Sequence, residues 1–108
     1  MKTYQQNISI SSGASVSGII SVLGAQNTGL LVHLPTSCTA YLQVSFDTTS
    51  ANFRRVDKTD GSGDWTWNVG SGKAATMVKD VAGVFPYMRL ETGVTQEDTT
   101  SLQAVSKY

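Results

Sequence analysis

The residues of this chain that could do chemistry are few and widely spaced. His33 is the one histidine and Cys38 the one cysteine, so no site needing two imidazoles or two thiolates can be built. His33 stands between Val32 and Leu34 in an alternating run, which turns it away from the apolar face as a surface or interface strand residue. Cys38 has no intramolecular disulfide partner; placed after Pro35 at the start of a strand, it reads as a half-buried packing residue, with a reactive or intermolecular thiol as the alternative. Asp57, Asp60 and Asp64 surround Gly61 and Gly63, and their oxygens could cradle a calcium ion. The spacing does not fit the twelve-residue calcium loop, so the expectation is a solvated hairpin loop and no metal. Gly72-Lys73 resembles the end of a phosphate loop, yet Trp67 stands where the first glycine is required and Ala74 replaces the magnesium-binding hydroxyl. No Gly-x-Ser-x-Gly elbow offers a nucleophile. Glu97-Asp98 and Glu91 are neighbours in sequence, but adjacent side chains point apart and give no two-carboxylate glycosidase site. The chain is expected not to be an enzyme and to use no cofactor.

What remains is chemistry of recognition. Trp65 and Trp67 share one strand face at i, i+2, either as core or as an exposed aromatic platform for a sugar or a protein. Arg54-Arg55 places one guanidinium on each face of its strand, suited to a bidentate pair with an acid of a neighbouring subunit. Tyr4, Ile8 and the polar residues around them form a free-looking N-terminal strand that could add to the sheet edge of another chain, or fray. Tyr4, Ile8, Arg54, Arg55, Trp65 and Trp67 are therefore the candidate protein-interface residues.

The elements that must position them are strands. Ala40, Leu42, Val44 and Phe46 alternate with Tyr41, Gln43 and Ser45, a period of two that sets one apolar face against a core. Asp47 to Ser50 supply turn chemistry, and a further extended segment starts at Asn52. Before this hairpin lie extended segments around Tyr4 to Ile10, from Val16 to Leu23 and from Leu30 to Leu34; Gly18 marks a bulge or close backbone approach. After it come a glycine- and aspartate-rich loop from Lys58 to Asp64, a strand through Trp65, Trp67 and Val69, and further segments at 74–81, 85–91 and 100–106. Lys73 to Val81 also carries helical spacing through Ala74, Val78 and Val81. Many short strands with polar turns predict an all-β fold: a single antiparallel β-sandwich of about eight strands, jelly-roll or immunoglobulin-like.

Length and charge narrow the class. At 108 residues the chain is one domain, residues 1–12 being open to reading as an extended N-terminal arm. Eight basic and eight acidic residues cancel, and charged residues make up only 15% of the chain, which argues against nucleic acid or an anionic membrane as partner. So low a charge suits a surface largely covered by other copies or partners. The start has no apolar core of a secretory signal, and the apolar run Gly29 to Pro35 is far too short to span a bilayer, so synthesis and assembly in a reducing cytoplasm are expected.

Two segments carry a resemblance. Leu42 to Asp57, with its Ser-Phe-Asp turn followed by Asn-Phe-Arg-Arg-Val, and Val81 to Gly93, with Tyr87-Met88-Arg89-Leu90-Glu91-Thr92-Gly93, resemble small structural proteins encoded by tailed bacteriophages. Thr99 to Val105 fills the place of their final strand, and the likeness covers roughly residues 30 to 108. The resemblance implies a virion component made in the host cytoplasm, without catalytic residues. Its most concrete form is a capsid decoration or cement protein, a homo-oligomer (a trimer being one form the analogy allows) bound to the major capsid protein or another virion protein. Two alternatives remain: a tail, baseplate or head–tail connector part, and a carbohydrate- or receptor-binding sandwich using Trp65, Trp67, Tyr41 or Tyr87 as stacking surfaces.

Overall fold

The computed structural model describes residues 2–34, 36–56, 63–70, 74–79 and 85–108, with the side chains of Trp67 and of 74–79 outside the description. The described chain forms nine strands: β1 (Thr3–Ile10), β2 (Ile20–Ser21), β3 (Asn27–His33), β4 (Cys38–Ser45), β5 (Arg54–Arg55), β6 (Thr66–Val69), β7 (Ala74–Lys79), β8 (Tyr87–Thr92) and β9 (Thr100–Lys107). A short 3-10 turn, Ser50–Asn52, precedes β5, and no α-helix occurs among the described residues.

The strands pair into two antiparallel sheets. One has the order β1-β9-β3-β7; the other has the order β2-β8-β4-β5, with β6 also pairing β4. From β1 to β4 and from β7 to β9 the chain changes sheet at every connection, so β1 meets β9 and β2 meets β8 across the whole length of the sequence. That wound arrangement is a jelly roll, which decides between the two sandwich topologies that alternation alone left open.

Alternation does the work of sorting side chains. β9 is buried at every second residue, with Leu102 and Ala104 inward, and β8 buries Met88, Leu90 and Thr92. Leu30 and Val32 from β3 and Ala40, Leu42 and Val44 from β4 meet them in one core that also takes Ile10, Ile20 and Val22. Each fully buried aliphatic side chain contributes about 1.5–3 kcal/mol relative to exposure. The inward polar positions are satisfied locally, for example Thr28 and Ser106, whose hydroxyls lie 2.9 Å apart.

Glycine is needed where strands and connections touch. A Cβ on Gly93 would sit 2.9 Å from the Thr39 carbonyl oxygen, the same oxygen that accepts the Gly93 N–H at 2.7 Å. Gly18 makes the close approach expected of it: its N–H donates to the Ser9 carbonyl at 3.0 Å, and a Cβ there would meet Ile8 Cγ2 at 3.2 Å.

Several expectations are corrected. Phe46 does not continue the apolar face of β4; it is 72% exposed, because the strand ends at Ser45. The cause is the turn that follows. Ser45 Oγ accepts the Asp47 N–H at 3.2 Å, and Asp47 accepts from the Thr49 N–H and from the Asn52 amide, both at 2.9 Å. These local bonds capture the backbone before Phe46 can pair. The extended segment expected from Asn52 starts at Arg54, after the 3-10 turn. The segment from Val16 to Leu23 yields only the two-residue β2, with Val16 held by an isolated bridge to Glu91. The segment expected at 74–81 does form a strand over its described part, β7, paired along β3. The calcium-loop reading of Asp57 and Asp60 falls outside the described residues, and Asp64 is engaged in an ion pair.

Candidate functional site

The sandwich offers two outer faces and their rims, and the candidate residues distribute unevenly over them. On the β2-β8-β4-β5 sheet, alternation turns Tyr41 and Gln43 of β4 and Arg89 and Glu91 of β8 outward, and the register sets Gln43 opposite both Arg89 and Arg55. Arg55 grips Glu91 with both arms of its guanidinium, Nε to Oε1 at 2.9 Å and Nη2 to Oε2 at 2.6 Å. Its remaining Nη1 reaches Asp64 Oδ2 at 3.0 Å, and the guanidinium lies 3.8 Å over the Tyr41 ring. Gln43 bridges onward, donating to Glu91 at 2.7 Å and accepting from Arg89 Nε at 2.5 Å. Arg89 completes the row with a bond to Ser50 Oγ at 2.9 Å, and its guanidinium lies 4.4 Å from the Phe53 ring centroid.

The electrostatics follow from that geometry. The Glu91 carboxyl is held below its ordinary range chiefly by the hydrogen bonds from Arg55, against the opposing effect of burial, with Gln43 assisting. Arg55 is pushed up by Glu91 and Asp64, and Arg89 is pushed down by burial. Two cations and two anions thus cancel, and their donors and acceptors are turned on one another. The row binds the 3-10 turn, β5 and Asp64 onto the sheet; it presents no unmatched charge to a ligand.

This corrects the role expected of Arg55: the acid it grips belongs to its own chain. Tyr41 is corrected with it, since the Arg55 guanidinium covers the face a sugar would stack on. Arg54 points elsewhere and is exposed, its Nη1 donating to the carbonyls of Ala51 at 2.7 Å and Phe53 at 2.9 Å. It lines a groove of about 540 Å³ with Val44, Val56, Phe46 and Phe85, whose rings lie 5.0 Å apart at centroid. Trp65 precedes β6 and is half-buried against the core, closer to the core reading than to a platform. Trp67 pairs with Ala40 in register, and its side chain lies outside the described residues.

The other outer face has a different chemistry. β1, β3 and β9 contain one charged residue among them, Lys107 at the end of β9. Among their outward positions, Asn7, Ser9, Leu31, His33, Ser101 and Gln103 line a shallow groove of about 610 Å³, and Val105 and Lys107 continue the outward row of β9. Leu31 is 46% exposed and Val105 41% exposed in the middle of this surface. Among the described residues no partner covers these two aliphatic side chains, which stand in a hydroxyl- and amide-rich field with Lys107 as its one charge on β1, β3 and β9. Neither Leu31 nor Val105 was singled out from sequence, although the run of charge-free alternating segments was there to be read.

The N-terminal segment is not a detached arm in the folded chain. β1 pairs with β9 over its full length, from Thr3 opposite Lys107 to Ile10 opposite Thr100. Ile8 packs on the core, while Tyr4 is 57% exposed at the edge. The Gln6 amide seals the rim of the sandwich, donating to the Ser21 carbonyl at 2.7 Å and accepting its N–H at 3.1 Å. Cys38 is half-buried against the core, with the Gln96 amide 3.9 Å from its sulfur. No group of His, Cys, Asp and Glu able to hold a metal occurs among the described residues, and no described helix is long and apolar enough to cross a membrane.

No protein-family model and no curated protein matches the sequence. Among solved structures, the SPBc2 prophage-derived protein YomS overlays with a TM-score of 0.55 over 98% of this chain and 95% of its own, at 14% identity. A protein of the Bacillus endospore appendages, a family of disulfide-linked pili, overlays at a TM-score of 0.47 and 12% identity, covering 98% of this chain and 88% of its own. The first likeness is one of fold; the second is too loose to carry an argument.

Proposed function

We propose that this chain is a non-enzymatic structural component of a bacteriophage particle, most concretely a capsid decoration protein that binds the outside of the shell and bridges its capsomers. The observation that carries this reading is the outer face that β1, β9 and β3 present, where Leu31 and Val105 stand exposed and Lys107 is the one charge. Such a face matches another protein surface better than water, a small molecule or a polyanion. The resemblance of residues 30 to 108 to phage structural proteins and the fold shared with a prophage-derived protein support the same class.

The mechanism is mechanical. The partner is the major capsid protein or another virion protein, met by many copies of this chain as a homo-oligomer. Each bound copy stabilises the assembled shell over the dissociated one by mass action, so the gain grows with the concentration of free protein. Because β1, β3 and β9 bring a single charge, Lys107, to the contact surface, its affinity is expected to depend only weakly on ionic strength.

The test is incubation of the purified protein with expanded shells lacking it, at low and high salt, followed by sedimentation and electron microscopy. Regular added density with equal occupancy in both salts is the expected result. Absence of binding at saturating concentration overturns the decoration reading and shifts the assignment to a tail, baseplate or connector part.

A further inference from the structure

Beyond its place in a particle, the chain carries a built edge for its own kind. We propose that the open edge of β1 pairs antiparallel with the same edge of a second copy, about a twofold axis passing beside Gln5, so that two four-stranded sheets join into one.

The direction of the backbone groups of β1 is fixed by two hydrogen bonds. The Lys2 carbonyl accepts the Tyr108 N–H at 2.9 Å, on the β9 side, and the Ser9 carbonyl accepts the Gly18 N–H at 3.0 Å, on the opposite side. Even-numbered residues of β1 therefore address β9, and Thr3, Gln5, Asn7 and Ser9 address outward. Gly18 occupies the Ser9 carbonyl; the outward groups of Thr3, Gln5 and Asn7 have no backbone partner among the described residues. Free edges in stable monomers are commonly blunted by charge, proline, a bulge or a covering loop. The stretch Thr3–Asn7 has no charge and no proline, and its register with β9 runs without a bulge.

Self-pairing follows from the spacing. The three outward residues are evenly placed about Gln5, so a twofold operation sets Gln5 opposite its own copy and Thr3 opposite Asn7. Each such pair exchanges two N–H···O bonds, about six in all. Tyr4 then faces Gln6 of the second copy, and no like charges meet within the paired stretch. The described edge strands of the other sheet, β2, β5 and β6, are two, two and four residues long, all shorter than the eight residues of β1. A contact between β1 and the far edge of β7 would be heterologous and would run on into rings or filaments, not stop at a dimer.

The experiment uses the full chain and needs no particle, so its outcome is independent of the decoration reading. Sedimentation from micromolar to sub-millimolar concentration is expected to give a monomer–dimer equilibrium. Gln5→Pro removes an N–H that the monomer does not use, and Gln5→Lys sets two ammonium groups face to face. Each is expected to lower dimer affinity roughly tenfold or more while circular dichroism stays unchanged. In a Cys38→Ser background, Gln5→Cys is expected to oxidise to a covalent dimer, its two Cα atoms lying about 5.5 Å apart. Thr3→Cys is not, because its copies lie about 13 Å apart along the strands. A monomer at every concentration, a trimer, ring or filament, or a dimer indifferent to Gln5→Pro and Gln5→Lys would each overturn the proposal.

Discussion

On the outer face of the β2-β8-β4-β5 sheet, Arg55 and Arg89 direct their donors to Glu91, Asp64, Gln43 and Ser50. On the outer face of the β1-β9-β3-β7 sheet, the same alternation delivers Asn7, Gln103, Leu31 and Val105, which have no ion to meet. The first surface is complete in the monomer. Its charges hold loops to strands, and a partner would have to break them to use them. The second has exposed aliphatic groups, an edge strand whose outward backbone groups have no partner among the described residues, and a single charge, Lys107, on β1, β3 and β9. One core thus supports a face whose charges close on one another and a face that leaves aliphatic side chains exposed.

If the faces differ only outside the core, the core must treat the sheets alike. Leu90 beneath the first face and Leu102 beneath the second are both fully buried. Leu90→Ala and Leu102→Ala are each expected to cost about 2–5 kcal/mol in chemical denaturation. A large inequality would mean that one layer carries the fold alone. The next effect separates the faces. Glu91→Gln leaves Arg55 with Asp64 only, and since Arg55 is 41% exposed the expected loss is about 1 kcal/mol. The carboxyl of Glu91 is depressed in the folded state, so its contribution is present above the ordinary value of 4.5 and disappears as pH falls through the folded value. Denaturation midpoints of Glu91→Gln should therefore converge with the parent protein in acid; a gap that widens in acid would contradict the network. Smallest of all, Leu31→Asp should change monomer stability by less than about 0.5 kcal/mol, because the residue lies on the outer face, outside the core, and is 46% exposed. A loss as large as that of Leu90→Ala would show that Leu31 belongs to the fold and not to an interface.

The inward half of this molecule was legible in its sequence because burial imposes a period of two. Leu30, Val32, Ala40, Leu42 and Val44 could be assigned to a core before any pairing was known. Phe46 could not, because the bonds from Ser45 and Asp47 that end its strand compete with the pattern over a single residue. The network of Arg55, Gln43, Arg89 and Glu91 was hidden for another reason. Its members lie up to 48 residues apart in sequence, as Gln43 and Glu91 do, and meet only through strand register. Arg55 was accordingly given a partner in a neighbouring subunit when the acid was across the sheet. The charge-free character of β1, β3 and β9 was visible, but that these three strands are adjacent depends on a topology that no local signal encodes.

The most direct test adds the same negative charge to each face. Leu31→Asp charges the outer surface of the β1-β9-β3-β7 sheet. Asn68→Asp charges the exposed outer surface of the other while keeping the acceptor that Thr39 Oγ1 uses at 3.1 Å. Co-sedimentation of both variants with expanded shells should show binding abolished by Leu31→Asp and retained by Asn68→Asp. Binding lost with Asn68→Asp and unaltered with Leu31→Asp would contradict the assignment of the interface to the uncharged face.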